Sequence, residues 1–143
     1  MSERATRLAV ALLALAGAGV AGYLTWAHYE SRTLLCFSGG GCETVQHSSY
    51  SELAGVPVAL LGLVAYAVLF ASALLRGLWP AATAAAVALG GVAFAGWLVY
   101  VQGAVLHAWC NWCLTSDAVL ALLAVACVGR ILVASGTEPR SRG

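Results

Sequence analysis

The chain has 143 residues, of which 62% are hydrophobic and only 9% charged, and its formal net charge is +1. A soluble domain carries about 25% charged residues, so this composition excludes an ordinary soluble globule and points to an integral membrane protein. The near-neutral charge excludes an electrostatic nucleic-acid binder. All seven basic residues are scattered arginines, which leaves no polybasic segment for headgroup recognition.

In chain order, four stretches supply the roughly 20 apolar residues that a spanning helix needs. They cover about 8–27, 56–75, 79–106 and 114–133. The first also carries signal-peptide features: a basic start, an apolar run and the small-residue stretch Ala16–Gly19. Its apolar run continues through Leu24, longer than a signal core, and cleavage would leave three spans; a retained span is the preferred reading. The second span meets the third through Arg76-Gly77-Leu78, with Pro80 at the start of the next helix, a favoured position for proline. The third is the longest and is expected to tilt or protrude. Its glycines Gly90, Gly91, Gly96 and Gly103 would weaken a helix in water but let neighbouring backbones approach in a bilayer.

Arginine placement sets the orientation. Arg4, Arg7, Arg76, Arg130, Arg140 and Arg142 favour one side and only Arg32 the other, so both termini are expected in the cytoplasm. Loops 28–55 and 107–113 then face outward. His28, Tyr29, Trp26, Trp79, Tyr100, Trp109 and Trp112 fall near span ends, as interfacial aromatics do. The loop from Tyr29 to Gly55 is long enough to have structure or a role of its own. Its first half, Cys36-Phe-Ser-Gly-Gly-Gly-Cys42, must bend. Its second half, Glu43 to Leu53, has helical spacing and reads as a short amphipathic helix on the membrane face, ended by Gly55 and Pro57. The expected fold is all-α: a membrane four-helix bundle over residues 1–134 with a long outer loop containing a short interfacial helix. Residues 135–143 read as a disordered cytoplasmic tail.

The chemistry lies in four cysteines. Cys110 and Cys113, in Cys-Asn-Trp-Cys, occupy the cap or first turn of the last span. The helix dipole there favours thiolate, the nucleophile of disulfide exchange. A hydrophobic redox carrier dissolved in the bilayer can reach Cys113 at that depth without crossing water. Cys36 and Cys42 flank three glycines that make their loop mobile enough to bring Cys42 over the second pair, and exchange requires such contact. Both pairs face a compartment that permits disulfides. Two bland readings stand beside this one. The pairs are structural disulfides, or the four thiolates bind zinc; an oxidising compartment and a mobile loop weigh against zinc, so no metal is expected. Cys127, alone in mid-span, reads as a small hydrophobe. His107, three residues before Cys110, is either a thiolate partner or an interfacial residue.

The combined order of these motifs resembles the vitamin K epoxide reductase family in its bacterial disulfide-forming branch. The match runs from Gly41-Cys42 through Val45, Ser48, Tyr50, Gly55 and Pro57, then Gly62 and Tyr66, to Cys110-Asn-Trp-Cys113, and spans residues 8 to 134. The resemblance implies a four-helix bundle around a quinone, either menaquinone or ubiquinone. It implies that Cys113 faces the quinone, that Cys110 exchanges with Cys42, and that Cys36 meets an external thioredoxin-like partner. Ser48 matches a position that stabilises the loop disulfide or orients the site. Some members carry a fused thioredoxin-like domain; here the partner is expected to be a separate extracytoplasmic protein. The expected location is the inner (cytoplasmic) membrane, with the site facing outward.

Two positions depart from the vertebrate branch. Asp117 stands where that branch has a tyrosine, and Val58 where it has an asparagine that hydrogen-bonds the quinone. Both weigh against vitamin K epoxide reduction proper and bear less on plain quinone reduction. Asp117 lies one turn beyond Cys113, just inside the membrane, where acids are costly and are functional candidates. It reads either as a proton relay or quinone hydrogen-bond partner, or as a carboxylate favoured by the helix start. A second class of four-helix periplasmic oxidase has its Cys-x-x-Cys first and its loop pair second; the reversed order here argues against it. The non-enzymatic alternative is a membrane scaffold with structural disulfides or a bound metal.

Overall fold

A computed structural model of the chain describes residues 2–30 and 41–137. Helix α1 (Glu3–Tyr29) starts at Ser2, whose side-chain oxygen accepts the Ala5 N–H at 3.2 Å, with Glu3 in the first turn where the dipole favours an acid. Helix α2 (Gly41–Gln46) is followed by a 3-10 turn (Ser49–Ser51) and a two-residue hairpin, β1 (Glu52–Leu53) with β2 (Val56–Pro57). Helix α3 (Val58–Leu74) and helix α4 (Leu78–Tyr100) are joined at Gly77, whose φ of 107° suits only glycine. Helix α4 loosens into a π-helical turn (Val101–Val105), and α5 (Asn111–Thr137) completes the chain.

The fold is an all-α bundle, as the four apolar stretches predict. Helices α1, α4 with its π-helical turn, and α5 are long and apolar enough to cross a membrane. Helix α3 has 17 residues, the short end of the spanning range of about 17–25. It begins two residues later than the sequence suggests because Val56 and Pro57 are drawn into the hairpin. The interfacial helix expected over Glu43–Leu53 is corrected more substantially. The helix starts at Gly41 and stops at Gln46. Beyond it, the Ser48 hydroxyl donates to the Val45 carbonyl at 2.7 Å, and Ser51 does the same to Ser48 at 2.8 Å. Such local serine bonds compete with helix continuation. Ala54 and Gly55 then take φ of 54° and 82°, the left-handed pair of a tight hairpin turn that pairs Leu53 with Val56. At the far end α5 continues through Thr137, so Ser135–Thr137 are helical; the remainder of the expected tail lies outside the described residues.

The core is built from small side chains. Ala14, Ala21, Ala84, Ala85 and Ala88 are buried with Val10, Leu69, Leu123 and Cys127. Small residues let helices pack closely where lipid removes the hydrophobic drive to associate. Of the glycines in α4 and its extension, Gly91 lies against Leu120 of α5 (2.9 Å from a built Cβ to Cδ2) and Gly103 under the Trp109 ring (2.8 Å to Cη2), while Gly90 and Gly96 meet nothing. The outward faces carry Leu8, Leu12, Leu15, Val64, Leu122, Val125 and Leu132, all exposed. An apolar exterior over an apolar core suits a lipid solvent. Cys127 is fully buried among apolar neighbours.

Two arginines tie one end of the bundle together. Arg7 of α1 donates from Nε to the Ala73 carbonyl at 2.7 Å and from Nη2 to Leu74 at 2.9 Å. The wholly buried Arg130 of α5 donates from Nη2 to Leu75 at 2.6 Å. These carbonyls at the C-terminal end of α3 lack intrahelical partners and carry the negative end of its dipole. The start of α1, the α3–α4 turn and the later part of α5 therefore share one end, and the Cys110 segment and hairpin lie at the other.

Tyr66 of α3 locks the middle. Its hydroxyl donates to the Ser116 carbonyl at 2.8 Å and lies 2.9 Å from the Ser116 Oγ, while its ring occupies the space above Gly17 of α1. A methyl group at Gly17 collides with a ring pinned at its far edge. Gly17→Ala is expected to lower stability by about 1–3 kcal/mol, the usual cost of overpacking, measured as earlier unfolding in detergent. Tyr66→Leu in the same background should recover part of that loss, because the ring is the obstacle.

Candidate functional site

The site grows from the segment that joins the π-helical turn to α5. After Leu106 the backbone leaves the helix, with His107 at a φ of 50°. Cys110 immediately precedes α5 and acts as its N-cap. Its carbonyl accepts the Leu114 N–H at 2.9 Å, the first bond of the helix, and its Sγ accepts the Cys113 N–H at 3.3 Å. A cap side chain normally takes the amide of the third helical residue with an oxygen; here sulfur does so. An N–H donor and the positive end of the dipole both favour sulfur as thiolate. Cys113 is therefore in the first turn, as the spacing predicts. Cys42 is disulfide-bonded. Cys36 lies outside the described residues.

Cys42 and Cys110 are both wholly buried, in one cluster with Leu24 and Ala27. Val45, Tyr23, Ala59, Trp112 and Cys113 pack against it. Trp112 stacks obliquely on Tyr23, centroids 5.0 Å apart, so this aromatic roofs the cysteine cluster as well as sitting near a span end. Gly41 explains how α2 gets so close. A Cβ built on it would overlap the Trp109 carbonyl and stand 2.7 Å from the Trp109 nitrogen. Only a residue without a side chain lets the Cys42 helix rest on the backbone leading into Cys110.

Below Cys113 opens a cavity of about 340 Å³ between α1, α3, α4 and α5, closed on one side by the hairpin and 3-10 turn. Its walls are mainly apolar: Leu24, Val58, Ala59, Phe94, Leu98 and Leu120 among them. Cys113, Ser116, Asp117, Tyr66 and Gln102, with Tyr50 and Ser51 from the 3-10 turn, supply the polar groups. A mostly apolar pocket with a few converging polar groups is the usual form of a small-molecule site. The Asp117 Oδ2 is buried and has no hydrogen-bond partner among the described residues. A buried carboxyl oxygen left this way costs free energy unless something met in the cavity compensates it. The volume and the apolar walls suit a flat apolar ring such as a quinone, and the Asp117 carboxyl can meet an oxygen on its edge when it carries a proton.

Of the residues singled out from the sequence, the structure brings Cys42, Cys110 and Cys113 into one cluster, and Cys113, Asp117 and Val58 to one cavity. Ser48 is outside the cavity lining; its hydroxyl is engaged with Val45. Gln102 was missed. It is 2% exposed, its Oε1 accepts the Cys110 N–H at 2.8 Å and its carbonyl accepts the Ala108 N–H at 3.0 Å. The signal available was a lone amide in an otherwise apolar third span. The contribution of Tyr50 and Ser51 of the 3-10 turn and Leu53 of the hairpin to the cavity wall was equally hidden, because it depends on how the loop folds back onto the bundle.

The family model for the vitamin K epoxide reductase family matches residues 8–128, which takes in the first three long apolar segments, both cysteine motifs and most of α5. The chain belongs to the vitamin K epoxide reductase family, whose members are membrane oxidoreductases working between thiols and a quinone.

Proposed function

We propose that this protein passes electrons from a separate thioredoxin-like partner through Cys36/Cys42 and then Cys110/Cys113 to a membrane quinone, and so drives disulfide formation in the compartment its loop faces. The observation that carries this reading is the position of Cys113, which belongs both to the dithiol motif and to the wall of the apolar cavity. Residues 1–134 form the catalytic domain, with both termini cytoplasmic. The gathering of the α1 start and the α3–α4 turn at the end away from Cys110 supports that topology.

The exchange begins with both pairs oxidised. A partner thiolate attacks Cys36, forming a mixed disulfide and releasing Cys42 as thiolate. Cys42 attacks Cys110, which frees Cys113. The partner's second thiol resolves the first mixed disulfide and leaves oxidised. Cys36 then attacks Cys42, re-forming the loop disulfide and releasing Cys110. Two electrons now reside on Cys110 and Cys113. The burial of Cys42 and Cys110 in one cluster supports transfer between those two sulfurs, and the N–H held by the Cys110 sulfur favours it as leaving group. In the last step Cys113 gives up an electron pair, Cys110 closes the disulfide on it, and the two protons lost by the thiols balance the two taken up. The quinone, when bound, supplies the oxidising power.

Val58 and the apolar walls hold the ring. Asp117 stands at the cavity wall one turn from Cys113, placed to take the Cys113 proton and return it to an oxygen of the ring. Replacing it by asparagine keeps the shape and removes the exchangeable proton. Asp117→Asn is expected to lower turnover by about 10²-fold, the lower range for general acid–base catalysis, with little change in quinone affinity. Unchanged turnover would remove the relay.

The test of the whole reading is quinone reduction by the purified protein with dithiothreitol as donor, using ubiquinone and menaquinone analogues, beside Cys113→Ala. Activity that is lost in the variant supports it. Folded protein inactive with both quinones returns the cysteines to a structural or metal-binding role.

A further inference from the structure

Gln102 has a second, unused end. The π-helical turn at Val101–Val105 is where α4 stops being regular, and such turns cluster at functional sites. It places a primary amide in the interior of a mostly apolar bundle, 2% exposed. Because an N–H can only donate, the bond from the Cys110 amide fixes which amide atom of Gln102 is oxygen. That leaves the Nε2 hydrogens, which no hydrogen bond among the described residues engages, on a side chain that lines the cavity with Cys113. The other polar groups of the lining are differently committed. The Tyr66 hydroxyl is turned to Ser116, and Asp117 presents an unmet oxygen. Among the described residues, Gln102 is the cavity-lining side chain that hydrogen-bonds the Cys110 amide.

We propose that Gln102 is a positioning residue that couples the cavity's occupant to the dithiol: Nε2 donates to a carbonyl oxygen of the quinone while Oε1 holds the Cys110 amide. The inference rests on the reading of the cavity as the quinone site. An amide that donates at nitrogen is polarised and accepts more strongly at oxygen. An occupied cavity therefore tightens the Cys110 cap and alters the reactivity of its sulfur, and by linkage the state of the cap alters affinity for the occupant.

The experiment uses full-length protein carrying Cys36→Ala, Cys42→Ala and Cys113→Ala together, so that neither Cys113 nor the loop pair can form a disulfide with Cys110. The probe is a short-chain ubiquinone, whose fully substituted ring does not add thiols. Two quantities are read: its affinity, by quenching of tryptophan fluorescence, and the alkylation rate of Cys110, by peptide mass spectrometry, with and without saturating quinone. In the parent the quinone should change the Cys110 rate several-fold. Gln102→Met should weaken affinity roughly tenfold, the loss of one hydrogen bond, and abolish the quinone's effect on the rate even at saturation. Affinity and rate effect both retained in Gln102→Met overturn the proposal and leave the quinone site standing. A parent protein that binds no quinone overturns both.

Discussion

Cys113→Ala is expected to abolish quinone reduction whatever the electron donor, and Cys36→Ala to abolish it only when the donor is a thioredoxin-like protein. The argument is positional. Cys113 is the only described cysteine on the cavity wall, while Cys110 is wholly buried behind it as the cap of α5. Without Cys113 no described sulfur meets an occupant of the cavity, and the only described cysteine left beside Cys110 is Cys42, which does not line the cavity. The rate should fall by at least about 10⁴-fold, to the uncatalysed background, as happens when a group essential to a catalytic unit is removed. Cys36 acts upstream. Dithiothreitol is small enough to reduce the second pair directly, so its route survives the loss of the loop pair, whereas a protein donor has no other entrance. The check is stopped-flow quinone reduction with both donors. Loss of dithiothreitol-driven activity in Cys36→Ala would mean that the loop pair does more than receive electrons.

Gly41→Ala is expected to separate the two pairs without touching either. The added methyl would occupy the position of the Trp109 backbone, which cannot rotate away as a side chain would. Helix α2 must lift, and Cys42 lifts with it from the cluster it shares with Cys110. A displacement of an ångström between reacting atoms costs about 10²-fold. Partner-driven reduction should fall by roughly that factor, while dithiothreitol-driven reduction stays within a fewfold of wild type, since the Cys110 cap and the cavity do not depend on Gly41. Trapping the Cys42–Cys110 mixed disulfide, by removing Cys36 and Cys113 together, gives an independent readout: its yield should drop in the Gly41→Ala background. Equal loss with both donors would instead mean that the substitution disturbs the whole 106–110 segment.

The sequence by itself determined the solvent, the helices and the position of the second dithiol. Length and hydropathy of the spans follow from bilayer thickness, a constraint that acts on each segment separately and is therefore readable from each. The place of Cys113 in the first turn of α5 follows from its spacing to the last apolar run. The arginines read from the sequence only as a bias in charge, not as what Arg7 and Arg130 are in the structure, the donors that satisfy the end of α3.

The tertiary structure alone decided which groups meet. The extent of the loop helix was misread because helical spacing over Glu43–Leu53 does not register a serine that takes the Val45 carbonyl, or a turn at Ala54-Gly55 that folds Leu53 back onto Val56. Tyr50 and Ser51 of the 3-10 turn and Leu53 of the hairpin line the cavity wall, while Ser48 stays outside it. Gln102 was invisible for a related reason. A single amide in an apolar span shows no period, and its value comes from a π-helical turn that sets it opposite Cys110. Gly41 sat in a run of three glycines that reads as flexibility, yet its function is a backbone contact 68 positions away in the chain, at Trp109. Local periodicity reports what a segment does with its solvent. Contacts between segments depend on close approach and on which polar group is left over, and neither quantity exists until the helices are packed.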